Sequence, residues 1–85
     1  MLSKGLNLVK NNFEELPNNI EAEQSVIGTI LVSNEIFDEI NTIISNKNFY
    51  DPMHQKIFEA LENLIYKGML ANPITLKNYF ENEKR

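Results

Sequence analysis

One histidine and no cysteine limit what this 85-residue chain can do chemically. His54 is the only candidate for general acid–base work near neutral pH. It stands close to Asp51, so a functional reading pairs it with a carboxylate; the plainer reading is a surface or boundary histidine beside a helix cap. A serine nucleophile would need a base and an orienting acid, and a lone histidine with no recognisable elbow supports none. Disulfides and thiolate metal sites are excluded, and a conventional zinc site is out of reach. Glu21, Glu23, Asp38 and Glu39 are the carboxylates that could in principle gather a Mg²⁺ ion, but their spacing fits solvated helix faces equally well. The three glycines, Gly5, Gly28 and Gly68, lie in neither a G-x-x-x-x-G-K phosphate loop nor a G-x-G-x-x-G turn, so this chain alone is not expected to hydrolyse ATP. Phe49-Tyr50 could stack on bases. No Lys or Arg interleaves with the pair, however, and a core plug beneath a loop is the better expectation.

Charge narrows the partners further. Between Asn11 and Asn46 there is no Lys or Arg, while Glu14, Glu15, Glu21, Glu23, Glu35, Asp38 and Glu39 all fall there. Gripping a phosphate backbone depends on clustered cations that displace counterions, so strong direct nucleic-acid binding is not expected. An acidic face suits solvent or a basic protein partner. No stretch approaches the roughly 20 apolar residues of a membrane span, and the N-terminus lacks a signal-peptide core. The cytoplasm is the default compartment.

Four helices must position whatever this chain presents. Pro17-Asn18-Asn19 punctuates, and Asn18 or Asn19 can cap a helix over about residues 20–32, with Asn18 and Glu21 at capping-box spacing. Its inward stripe is Ala22, Val26, Ile27, Ile30 and Leu31, and Gly28 within it predicts a close helix crossing, since Gly inside a helix costs about 1 kcal/mol relative to Ala. A second helix is expected over 35–44, with Ile36, Phe37, Ile40, Ile43 and Ile44 inward and Glu35, Asp38 and Glu39 outward. Asp51-Pro52 starts a third, over 52–67, built on Ile57, Phe58, Leu61, Leu64 and Ile65 and closed by Gly68. A fourth follows from Pro73 or Thr75 to Asn82, offering Leu76, Tyr79 and Phe80. The fold class is all-α, a compact bundle of about four short helices over residues 17–85, with a wholly polar end that reads as cut rather than finished. Residues 1–16 form a variable or flexible tail; yet Leu2, Leu6, Val9, Phe13 and Leu16 fall on one helical stripe, which leaves open a helix docked on the domain or on a neighbour.

Three ordered motifs carry a family resemblance. Pro17-Asn18-Asn19-Ile20-Glu21-Ala22-Glu23-Gln24-Ser25-Val26-Ile27-Gly28 is similar to the opening of DnaB-type replicative helicases. Phe49-Tyr50-Asp51-Pro52-Met53-His54-Gln55-Lys56-Ile57-Phe58 resembles a second stretch of that family, and Lys67-Gly68 with Pro73-Ile74-Thr75-Leu76 resembles a third, departing from it in the spacing after Gly68 and in lacking an Asp before Thr-Leu. These residues read as scaffold: Glu21 and Gln24 tie the first turn to a neighbouring loop, Gly28 permits a crossing, and Phe49, Tyr50 and Phe58 fill the core, with Pro52 and His54 opening the third helix.

The resemblance implies the helical head of the helicase N-terminal domain, followed in the family by a helical hairpin. Paired hairpins build a collar on a hexameric ring, the collar docks primase, and a linker leads to a RecA-like motor that uses ATP and Mg²⁺. What is expected of this chain is therefore a non-catalytic assembly and partner-docking domain without a cofactor of its own. Its partners would be further copies of itself and primase, and Glu35, Asp38 and Glu39 are the expected contact surface. The alternative from another class is a small helix-turn-helix DNA binder, against which the acidic second helix counts.

Overall fold

In the computed structural model, which describes residues 19–83, the chain enters its first helix at Asn19. The expected tail over 1–16 lies outside the described residues. Asn19 accepts a hydrogen bond from the Ala22 amide at 3.0 Å and so caps α1, Ile20–Val32. With the cap at Asn19 the third helical position is Ala22, so Glu21 does not close a reciprocal box. Val26 and Ile30 are wholly buried, Ala22 and Ile27 nearly so, and Leu31 packs half-buried against the core.

Gly28 corrects the expectation of a helix crossing. A Cβ built on it meets nothing within 4 Å, because the packed face of α1 runs through Val26, Ile27 and Ile30 and leaves Gly28 on the flank. Gly28→Ala should therefore stabilise the domain by about 1 kcal/mol. A lower urea midpoint for this variant would show that a neighbour does press on the site.

The second helix is shorter than its periodicity predicts. Ser33 is extended, a single 3-10 turn covers Asn34–Ile36, and α2 spans only Phe37–Asn41. The Thr42 hydroxyl donates to the Glu39 carbonyl at 2.6 Å, and the run from Ile40 through Ile44 is rich in β-branched residues with poor helix propensity. The inward set nevertheless holds: Ile36, Phe37, Ile40 and Ile44 are buried. A second 3-10 turn, Asn46–Asn48, leads to Phe49.

Asp51 caps α3, Pro52–Tyr66, by accepting from the Met53 amide at 2.8 Å, with Pro52 in the first turn. The helix stops where Gly68 turns left-handed at φ 78°, and the Met69 and Gly68 amides bond back to the Leu64 and Ile65 carbonyls. Asn72 then caps α4, Pro73–Glu83, reciprocally with Thr75: its Oδ1 accepts from the Thr75 amide at 2.9 Å, and Thr75 Oγ1 accepts from the Asn72 amide at 2.9 Å. No residue of α4 is fully buried, although Leu76 and Tyr79 pack on the core.

Among the described residues the fold is thus all-α, with three aromatic rings at its centre. Phe58 lies between Phe37 and Phe49, with ring centroids 5.3 and 5.0 Å away. The loop between α3 and α4 is held by Asn34, whose side chain donates to the Ile30 and Ala71 carbonyls and accepts from the Ala71 amide at 2.8 Å. Ala71 is itself fully buried, as is Ala60. Among the described residues no helix is long and apolar enough to cross a membrane.

Candidate functional site

The chemistry-bearing residues converge where α1 meets the start of α3. Glu23, in the first turn of α1, is only 1% exposed. Its two oxygens accept from the Tyr50 amide at 2.6 Å and from the Asp51 amide at 3.3 Å, and one of them lies 2.7 Å from His54 Nδ1. His54 is buried, its ring edge-on to Phe49. Gln55 completes the junction by donating to the Phe49 carbonyl at 2.6 Å.

His54 lies just inside the boundary beside the α3 cap, and the carboxylate it pairs with is Glu23 rather than Asp51, whose carboxylate caps α3. One expectation is corrected here. Glu23 is not on a solvated face, and it, rather than Glu21 or Gln24, ties the first turn of α1 to the neighbouring loop; Glu21 and Gln24 are exposed. The signal was available. Glu23, Val26, Ile27 and Ile30 follow the i, i+3, i+4, i+7 stripe, and so do His54, Ile57, Phe58 and Leu61. Scanning for apolar residues alone passes over polar members of a buried face.

Both oxygens of Glu23 are engaged by the protein's own groups, and among the described residues no buried side-chain polar atom lacks a partner. Nor do Glu21, Glu23, Asp38 and Glu39 come together: among the described residues no group of three or more His, Cys, Asp or Glu could hold a metal ion. The remaining motif residues divide between core and surface. Phe49 and Phe58 are buried, whereas Pro52 is exposed at the start of α3. Tyr50 corrects the core-plug expectation at 60% exposure. Phe49 is extended, and consecutive side chains of an extended segment point to opposite sides, so seating Phe49 turns Tyr50 outward.

What remains for function is the exterior. Glu35, Asp38 and Glu39 are all exposed, on the side of α2 opposite Ile36, Phe37 and Ile40. Ser33 donates to Glu35 at 3.0 Å, and among the described residues none of the three carboxylates is paired with Lys or Arg. Among the described residues these carboxylates face solvent.

Comparison with known proteins bears on the family. The family model described as DnaB-like helicase N terminal domain matches residues 15–85. The chain is 37% identical over 83 residues to the replicative DNA helicase DnaB of Rickettsia typhi, covering 91% of this chain and 17% of that protein. It is 43% identical over 63 residues to the protein of the same name from Rickettsia prowazekii, covering 74% and 13%. It is also 41% identical over 69 residues to that of Buchnera aphidicola subsp. Baizongia pistaciae, covering 81% and 15%. The chain thus spans less than a fifth of the length of these curated relatives. No solved structure gives a significant match.

Proposed function

Because this chain belongs to the DnaB-like helicase N-terminal domain family, we propose that it is a non-catalytic assembly and partner-docking domain of a replicative DNA helicase, acting in the cytoplasm. The observation that supports this reading most is where the motif residues go. Glu23, Phe49, His54 and Phe58 are consumed inside the domain, holding α1 against α3. None is left facing outward as a nucleophile, base or ligand. The work of the domain is then done by its outer surface. On this reading ATP and Mg²⁺ act in the part of the relatives that this chain does not match, and the chain contributes to a collar of like subunits and to primase docking.

The acidic face of Glu35, Asp38 and Glu39 is the surface we assign to the partner. Replacing all three by Lys reverses the local charge without touching the buried side of α2. Binding of primase to the chain, read by surface plasmon resonance, should weaken at least tenfold, with the far-ultraviolet circular dichroism of the domain unchanged. An unaltered Kd removes the face from the interaction. Tight binding of random duplex DNA by the wild-type chain at physiological salt would instead favour a helix-turn-helix DNA binder.

A further inference from the structure

α4 differs from α1 and α3 in how it is held. The longer helices bury whole side chains, Val26 and Ile30 in α1 and Phe58 and Leu61 in α3, whereas no residue of α4 is buried. Leu76 and Tyr79 pack on the core only in part. Among the described residues, two hydrogen bonds join α4 to groups outside it and its cap. Asn63 donates to the Tyr79 hydroxyl at 2.8 Å, and the Thr75 hydroxyl donates to the Leu70 carbonyl at 2.8 Å. The bonds at its start run between Asn72, Ile74, Thr75 and Leu76, and so travel with the helix. Just before them the chain is clamped: Ala71 is fully buried, with its amide and its carbonyl both bonded to Asn34.

We infer that α4 opens on its own, pivoting at the Ala71–Asn72 junction and melting as it leaves, while α1, α2 and α3 stay folded. Few buried apolar contacts and few bonds to the rest are what let one segment open below the free energy of global unfolding. The clamp at Ala71 stops the opening from passing back into the loop after α3. Off the core the helix cannot sustain itself, because its 11 residues fall short of the roughly 12–15 that an isolated helix needs. Ile74, Thr75, Asn78 and Asn82 are weak helix formers. Glu81 and Glu83 add negative charge to the last turn, where the helix dipole disfavours it. Opening bares the apolar sides of Leu76 and Tyr79 and the part of the core beneath them, with the rings of Phe37, Phe49 and Phe58 still enclosed. A partner that binds either bared surface shifts the domain to its open state, and one that clasps docked α4 holds it shut.

This inference is independent of the helicase assignment and can fail without affecting it. Hydrogen exchange of the full 85-residue chain, read in proton–nitrogen spectra at rising sub-denaturing urea, tests it. The amides from Leu76 to Phe80 should exchange together, about a hundredfold faster than those of Phe58 and Leu61 and with a shallower dependence on urea. Gly28→Ala, in α1, should slow the Phe58 and Leu61 amides about fivefold and leave those of α4 unchanged, because the open and docked states gain alike. Asn78→Ala, on the exposed side of α4, should slow the α4 amides about threefold. α4 amides that match those of α3 in rate, urea slope and response to Gly28→Ala overturn the inference, since α4 then opens only with the whole domain. Protection that declines steadily from Leu76 to Glu83, with Leu76 as slow as Phe58, is fraying from one end and also overturns it.

Discussion

Phe58→Ala is expected to destabilise the domain by about 3–5 kcal/mol, the usual cost of truncating a buried aromatic residue. Phe58 is 1% exposed and is the ring that both Phe37 and Phe49 touch. Its removal opens a cavity where α2, α3 and the loop before α3 meet, so no single element can shift to refill it. Domains of this size hold roughly 0.05–0.15 kcal/mol of stability per residue, or about 4–13 kcal/mol in all. At the lower end of that range the variant sits close to its transition at room temperature. Circular dichroism at 222 nm along a urea titration reads the outcome directly. A midpoint equal to that of the wild type would mean that the aromatic cluster is not the centre of the core. Phe58→Leu keeps most of the volume and should recover much of the loss.

The second large effect is expected at Glu23, and its cause is electrostatic rather than steric. Glu23→Ala leaves the Tyr50 and Asp51 amides without their acceptor and the His54 ring nitrogen without its partner. Buried polar groups left unpartnered cost about 1–3 kcal/mol each. A loss of about 3–5 kcal/mol is expected, comparable to that at Phe58 although far less apolar surface is removed. The conservative variant separates the contributions. Glu23→Gln keeps one acceptor oxygen of similar reach but brings an amide NH₂ towards donors, so its urea midpoint should fall between wild type and Glu23→Ala. The double variant Glu23→Leu/His54→Leu removes the side-chain pair but not the two backbone donors. It should stay less stable than the wild type. Full recovery in the double variant would show that the backbone bonds contribute nothing.

These two residues also mark different degrees of legibility. Phe58 could be assigned to the core from its place among Ile57, Leu61, Leu64 and Ile65. Its role as the central ring between Phe37 and Phe49 could not, because those partners lie on other elements. Glu23 and His54 both sit on helical stripes with apolar neighbours, yet a stripe shows only that a residue faces inward. It does not show which polar residue on another helix will meet it. Tyr50 and Gly28 depart from expectation for a related reason: the packing role expected of each depends on the path of a neighbouring element. The second helix is shortened on local grounds, since its apolar period runs on through β-branched residues whose backbone prefers to leave the helix.

The sequence by itself determined the all-α class, the starts of three helices at Asn18 or Asn19, at Asp51 and at Asn72, the stop at Gly68, and nearly all of the apolar core. These follow from caps, turns and a period of 3.6 residues, which act across a few positions of the chain. Tertiary structure alone decided that Glu23 would join His54 across 31 positions and that Asn34 would hold Ala71 across 37. It also decided that Tyr50 would face solvent. A buried polar group must find its partner wherever the packing brings one, and that choice belongs to the whole fold rather than to any one segment.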